Sequence, residues 1–532
     1  MKVSSHSPAP LPRKAPKLVA IGDSLTAGMQ DCNLVGSRQQ HSYPALIAKQ
    51  GAMQFKQPLL SENGIPPKLF MSPDSSLMKT AWRYSIAGLA HLAPMAATAV
   101  GINPPEWLYT GIYHAGGMGQ RLEKGEVQNF AIPGLEARHL NTVSNVKDYA
   151  HEVIMGIEGK GAMLAEVPFI RQITQGGRSA KHGVSQIDSA IAQKPDMVML
   201  WAGNNDALAG ALTGEVNDLS LTPMEDRPWK VEHKKWPWSK TELVDTPEVI
   251  PGFASTMAGP NGTVTRLLQE TDAEIMLMNI PDVTVIPHLF KLGEKVGPLP
   301  FRMVLPGGCD VTDKISNWKL PTKVAGKGKD GREYFPEGTR VGLAQILKKL
   351  THYYKVKTEK DLDAALLSMT AMRGGGGVFT EAEALDPEET ATIQKRVSEY
   401  NGLLKDLDAK HERVHLVDVN ATLSRAAREG IPLRGEGEAV TVTNIFTGSE
   451  DRRGYQGMFS FDGIHPSDVG YAVIANEIID KARVDLKGDQ RFTTLLNSQP
   501  VDEKQALAGD PHRQAAKLLL NGFVSEQLNS VS

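Results

Sequence analysis

The sequence predicts an α/β protein built on a parallel sheet and carrying large insertions. Two observations carry this. Five short apolar runs recur along the 532 residues. Each ends in small or polar residues, the form taken by strands buried on both faces. Helical patterns fall between several of them, and strands alternating with helices specify parallel pairing through crossovers.

The first strand is read at Leu18–Ile21 and runs into Gly22, Asp23 and Ser24. The second, Val127–Ile132, ends just before Gly134. A helix over Val184–Gln193 precedes the third strand, Met197–Trp201, which runs into Asn204, Asn205 and Asp206. The fourth strand is Ile275–Ile280. A helix over Pro387–Lys410 follows, with Asp386 as its N-cap and Pro387 at its first position. The fifth strand is His415–Val419, and a last helix covers roughly Pro466–Leu486. The spacing is uneven. Residues 29–126 and 283–385 are too long to be structureless loops in a compact domain, so both are expected to be insertions with secondary structure of their own. Residues 1–16, rich in Ser, Pro and Lys, read as a flexible leader, and 17–486 as one domain. Residues 487–532 read as a tail, in which Asp510-Pro511 opens an amphipathic helix through Leu518, Leu519 and Phe523.

Composition bounds the function. Hydrophobic residues make up 41% and charged residues 22%, and the net charge is -3. That balance gives no electrostatic case for nucleic acid. The 2 cysteines, Cys32 and Cys309, cannot build a disulfide scaffold or a cysteine zinc site, and default to small buried hydrophobes. The N-terminus lacks the apolar core of a signal peptide. Two compartments stay open: cytoplasmic, or exported with the signal absent from this chain. The uncharged stretch Ser85–Ile102 is alanine-rich and contains Gly88, His91 and Pro94. It reads as a buried helix rather than a membrane span.

The chemistry lies at the strand ends. In open parallel sheets, ligands bind outside the carboxyl ends of the strands. That edge collects Ser24, Gly134 and Asn205, and after the fifth strand the DGIH turn of Asp462 and His465. Ser24 has two readings, a cap for the helix that follows or a nucleophile. A serine hydroxyl needs a base, and His465 supplies one. Asp462, three residues earlier, can fix the tautomer of that imidazole and offset its charge. The N–H groups of Ser24 and Gly134 and the side-chain amide of Asn205 can form an oxyanion hole. Asp23 reads as structural, and Asn204 and Asp206 as turn-shaping.

GDSL at 22–25, Gly134 in NFAIPG, GNND at 203–206 and DGIHP at 462–466 resemble, in order, the four blocks of the SGNH or GDSL hydrolase superfamily. The resemblance implies a flavodoxin-like three-layer α/β/α sandwich. It also implies a serine hydrolase that cleaves carboxylic esters or thioesters through an acyl-enzyme, without metal or cofactor. Ser24 would be the nucleophile, His465 and Asp462 the rest of the triad, and Gly134 and Asn205 oxyanion donors. The implied partner is a small-molecule or lipid ester; chain length, leaving group and oligomeric state stay open.

Two other classes compete. HERVH at 411–415 matches the zinc-hydrolase signature, with His411 and His415 as ligands and Glu412 as base. That chemistry needs both histidines on one helix face, and here the motif runs from a helix end into a strand. A catalytically silent binding protein on the same fold is the third class. Finally, Ser85–Ile102 with Trp107 and Tyr109 is expected to form either a lid over the acyl site or a core within its own insertion.

Overall fold

A computed structural model describes residues 14–62, 64, 65, 119–122, 125–146, 148, 149, 152, 167–174, 176, 183–229, 248–299, 301–305, 309–325, 330–371, 379–513 and 516–519. Ser85–Ile102, Trp107 and Tyr109, and with them the lid expectation, lie outside the described residues.

The chain is an α/β protein with a four-stranded parallel sheet at its centre. The strands are β1 (Leu18–Gly22), β2 (Met197–Trp201), β3 (Glu274–Met278) and β4 (Val414–Val417), in that spatial order. Ala20, Met199, Met276 and His415 form one row across it. Residues 127–132 lie parallel along the outer edge of β1. Ala20 N–H donates to Gln128 O at 2.8 Å, and Phe130 N–H to Ala20 O at 2.9 Å. The segment is a single bridge at Asn129 rather than a regular strand. Ile132 N–H still donates to Gly22 O at 3.1 Å, but the ladder is incomplete because Gly22 N–H goes to Gln186 Oε1 at 2.9 Å and Leu18 N–H to Gln54 O at 3.2 Å. The fifth expected strand stops at Val417, because Asp418 caps the helix Val419–Arg428 through Ala421 N–H.

Side chains alternate along these strands, and each face takes its own helices. Val19, Ile21, Val198, Leu200, Ile275 and Leu277 pack with the helix at Gln186–Ala192 and with the long helix Pro387–Lys410. Asp386 and Pro387 start that helix as expected, with a capping box closed by Glu389. The other face, with Met199, Trp201, Met276 and Met278, packs against α1 (Tyr43–Gln50) and α2 (Asp468–Asp485).

Two expected boundaries are corrected. Residues 29–126 are not an add-on from their start, because α1 belongs to the layer covering the sheet. Residues 487–513 are not a loose tail. Phe492, Leu495 and Val501 join the same core, and Asn476 exchanges hydrogen bonds with the Val501 backbone. Among the described residues the helix expected from Asp510 is not formed: Pro511–Arg513 is a single 3-10 turn, and Phe523 lies outside the described residues. Ala516–Leu519 instead forms a strand parallel to Phe301–Val304. Residues 283–385 do carry their own structure, including an antiparallel sheet of Leu289–Lys291, Arg340–Gly342 and Ala384–Leu385. Their apolar residues Trp318, Leu347 and Phe379 share one cluster with Met29, Leu34 and Leu60, so the two long excursions are packed on each other. Among the described residues, no helix is long and apolar enough to cross a membrane.

Candidate active site

The β1 tip explains its glycine. A Cβ on Gly22 would lie 2.1 Å from the Trp201 carbonyl oxygen, so only glycine lets β1 pass β2 here. The helical turn that follows is Ser24–Ala27, and its N-cap is Asp23, not Ser24. Asp23 accepts from Leu25 N–H at 3.0 Å and, on its other oxygen, from the Asn204 side chain at 2.8 Å. Burial pushes the Asp23 carboxyl up to about 6. The capping reading of the serine therefore falls to its neighbour, and the Ser24 hydroxyl is left for another partner.

That partner is His465. Its Nε2 lies 2.9 Å from Ser24 Oγ, and its Nδ1 lies 2.7 Å from Asp462 Oδ2. All three residues are buried. Asp462 Oδ1 accepts from Ile464 N–H at 2.7 Å, His465 N–H at 2.9 Å and Ser460 Oγ at 3.1 Å. Oδ2 also accepts from Cys32 N–H at 2.7 Å. Burial raises the Asp462 carboxyl, but His465 and these donors outweigh it and hold the group well below the usual carboxylate range. The turn itself is pinned from outside. His288 Nδ1 donates to Asp462 O at 2.8 Å, and His288 N–H to Gly463 O at 3.1 Å. Gly463 has φ 68°, and a Cβ there would lie 2.6 Å from His288 N. Burial lowers the His288 pKa, which suits a neutral ring donating one N–H.

Asn205 and Gly134 come to the same edge. Asn205 Nδ2 donates to Leu135 O at 2.9 Å, tying the two loops together. Asp206 accepts from Ala137 N–H at 2.8 Å, and burial, then the Glu136 charge, pushes its carboxyl up to about 7. Asn204 and Asp206 thus do more than shape a turn: each ties the tip of β2 to a neighbouring loop. Gly134 sits at φ 84°. Among the described residues, neither Ser24 N–H nor Gly134 N–H donates to another group. A small cavity of about 50 Å³, open to solvent, is lined by Ser24, Asn205 and His465 at one end. Trp201, Leu208, Val283, Ile286, Phe459 and Ile464 line much of the rest, with Asp282 and Asn444 among them.

Comparison of the chain with protein-family models, with curated proteins and with solved structures finds no match. The geometry therefore carries the functional reading.

The zinc signature is dispersed. His411 is exposed just past the long helix, while His415 is buried on β4. His415 lies between Glu274 at 3.0 Å and Asp485 at 3.2 Å. Glu412 is exposed, and no helix face presents the two histidines together. One other cluster among the described residues has metal-ligand proximity: Cys32, Asp462 and His465, with donor atoms within 4.8 Å of one another. Its donors are already engaged, with Asp462 on His465, and burial followed by the Asp462 charge raises the Cys32 thiol well above its ordinary value. A protonated thiol is a poor ligand.

The sequence reading did not find His288, Ser460 or the Cys32 N–H. No local pattern marks them, since His288 and Cys32 meet Asp462 from remote parts of the chain.

Proposed function

We propose that the chain is a serine hydrolase of the SGNH type that cleaves carboxylic esters through an acyl-enzyme. One observation carries the reading: Ser24, His465 and Asp462 form a continuous hydrogen-bonded line of 2.9 and 2.7 Å at the carboxyl edge of a parallel sheet. The strand order, with residues 127–132 outside β1 and then β2, β3 and β4, supports the flavodoxin-like sandwich implied by the four motif blocks. Ser24 Oγ attacks the ester carbonyl as His465 Nε2 takes its proton. Asp462 holds Nδ1–H and offsets the imidazolium charge. Ser24 N–H, Gly134 N–H and the Asn205 amide are the donors for the oxyanion. His465 then returns the proton to the leaving alkoxide, and water repeats the sequence on the acyl-enzyme. The apolar lining of the cavity suits the acyl group.

Hydrolysis of p-nitrophenyl acyl esters tests this. Activity is expected to withstand EDTA and to fall about 10⁴- to 10⁶-fold in Ser24→Ala. Turnover that survives Ser24→Ala but disappears with EDTA would replace serine chemistry with metal chemistry. A panel of esters left untouched by the wild type would instead favour a binding protein.

A further inference from the structure

A buried ionic cluster beside the triad has no part in the chemistry above. Asp31 and Cys32 both adopt left-handed backbone, with φ 53° and 51°. Two consecutive non-glycine residues in that region are strained, and such strain persists only where the surroundings fix it. The fixing groups converge on the Asp31 carboxylate. It takes the Arg38 guanidinium, accepts from Phe461 N–H at 2.7 Å, and faces His512 Nε2 at 2.9 Å. The other His512 nitrogen, Nδ1, faces Asp510 Oδ1 at 2.7 Å. A ring between two carboxylates needs both nitrogens protonated. His512 is fully buried, with the Phe461 ring edge-on at 4.7 Å. On the far side of the loop, Asp31 N–H donates to Ser460 Oγ at 3.1 Å and Cys32 N–H to Asp462 Oδ2 at 2.7 Å. The preceding residues have separate anchors, Met29 O on the Tyr471 hydroxyl and Gln30 on Asp468.

We propose, resting on the serine-hydrolase reading, that His512 is a positioning residue for the catalytic acid: through Asp31 it holds the strained 31–32 backbone so that Cys32 N–H fixes the Asp462 oxygen that bonds His465. The line of contact ends on the very atom that sets the imidazole's orientation. Cys32 acts here through its backbone N–H, and its buried thiol lies beside the same carboxylate. The charged groups facing His512 are Asp31 and Asp510 directly, then Arg38 and Asp462 around Asp31, and Asp468 with His41 beside Asp510. Burial lowers the His512 pKa, but the two carboxylates outweigh it and bring it to about 9.

The test uses His512→Gln in the full chain, with Asp510→Asn as a milder variant. Three readouts separate positioning from plain destabilisation. In His512→Gln, kcat is expected to fall about 10- to 100-fold with KM little changed, the scale of a small misplacement of a catalytic group. The downfield proton resonance of His465 Nδ1–H, assigned by its loss in Asp462→Asn, is expected to shift. Wild-type kcat is expected to decline above about pH 9 as His512 loses its proton, a limb absent from His512→Gln. Asp510→Asn should move kcat and the resonance in the same direction by less, and it decides the matter if His512→Gln does not fold. A folded variant with wild-type kcat and an unshifted resonance overturns the proposal and leaves the esterase reading standing. A shifted resonance in a protein that hydrolyses no ester overturns the esterase reading and keeps the coupling.

Discussion

Ser24 is the first residue of its helical turn, and Asp23 caps it. This division of labour leaves both the hydroxyl and the N–H of Ser24 for chemistry. It also buries a carboxylate whose pKa is raised to about 6. For an acid with a raised folded pKa the sign is unfavourable: the ionised form costs stability above that value, and the cost fades as pH falls through it. Asp23→Asn should remove the cost. Its Oδ1 can still accept from Leu25 N–H, and Asn204 can turn its otherwise unpartnered Oδ1 toward the new amide. Stability at pH 8 is expected to rise by on the order of 1–3 kcal/mol, with turnover retained. Urea unfolding at pH 8 checks it, and a lower midpoint than wild type would show that the ionised cap contributes more than its burial costs. The site residues readable at this scale were those with a local signature. Ser24, Gly134, Asn205, Asp462 and His465 each sit in a short motif at an element boundary, where backbone geometry restricts the choice of residue. Asp31, His288, Ser460 and His512 have no such mark, because their partners are set by tertiary packing.

At the scale of elements, the apolar runs located the four core strands, since burial on both faces leaves little room for polar residues. Strand ends were less legible. Residues 127–132 keep an incomplete ladder because Gly22 N–H goes to the Gln186 side chain, and β4 ends where Asp418 begins a helix. The segment after Asp510 reads as helical in periodicity, yet Ala516–Leu519 pairs with Phe301–Val304, a partner that no local pattern reveals. The helix Asn205–Thr213 bears on specificity under the proposed function: it starts at Asn205, the proposed oxyanion donor, and carries Leu208 into the pocket lining. Leu208→Trp should fill that space. Octanoyl ester turnover is expected to drop about tenfold or more while acetyl ester turnover is largely kept, the effect of losing a few buried methylenes. Equal losses on both esters would place the acyl chain elsewhere.

At the scale of the whole molecule, the segment beyond α2 is fastened to the first loop after Ser24 by the ion cluster of Asp31, Arg38, His512 and Asp510. Its pH dependence has two limits. The His512 pKa is raised from 6.5 to about 9, so its contribution is full below 6.5 and lost as pH rises through 9. The Asp31 pKa is lowered from 3.8 to about 2: burial raises it, but Arg38 and His512 prevail. Its contribution is present above 3.8 and lost as pH falls through 2. The stability gap between wild type and His512→Gln should therefore be widest from pH 3.8 to 6.5, on the order of 2 kcal/mol, and close above pH 9. Denaturant midpoints across that range measure it, and a gap that widens with alkalinity would mean that His512 is buried neutral.

The order of the site along the chain has a consequence for synthesis. A ribosome releases Ser24 first, then Gly134 and Asn205, and Asp462 and His465 more than 400 residues after Ser24. β1 finds its partner β2 only after a long delay, and the 29–34 loop finds Phe461 and His512 last. Pairings this distant close slowly, because the loop entropy is lost before the contacts form. A nascent chain thus exposes a serine with no base to activate it. On the proposed serine-hydrolase reading, hydrolytic competence would arrive as a single late event, once residues 460–513 have been made and docked.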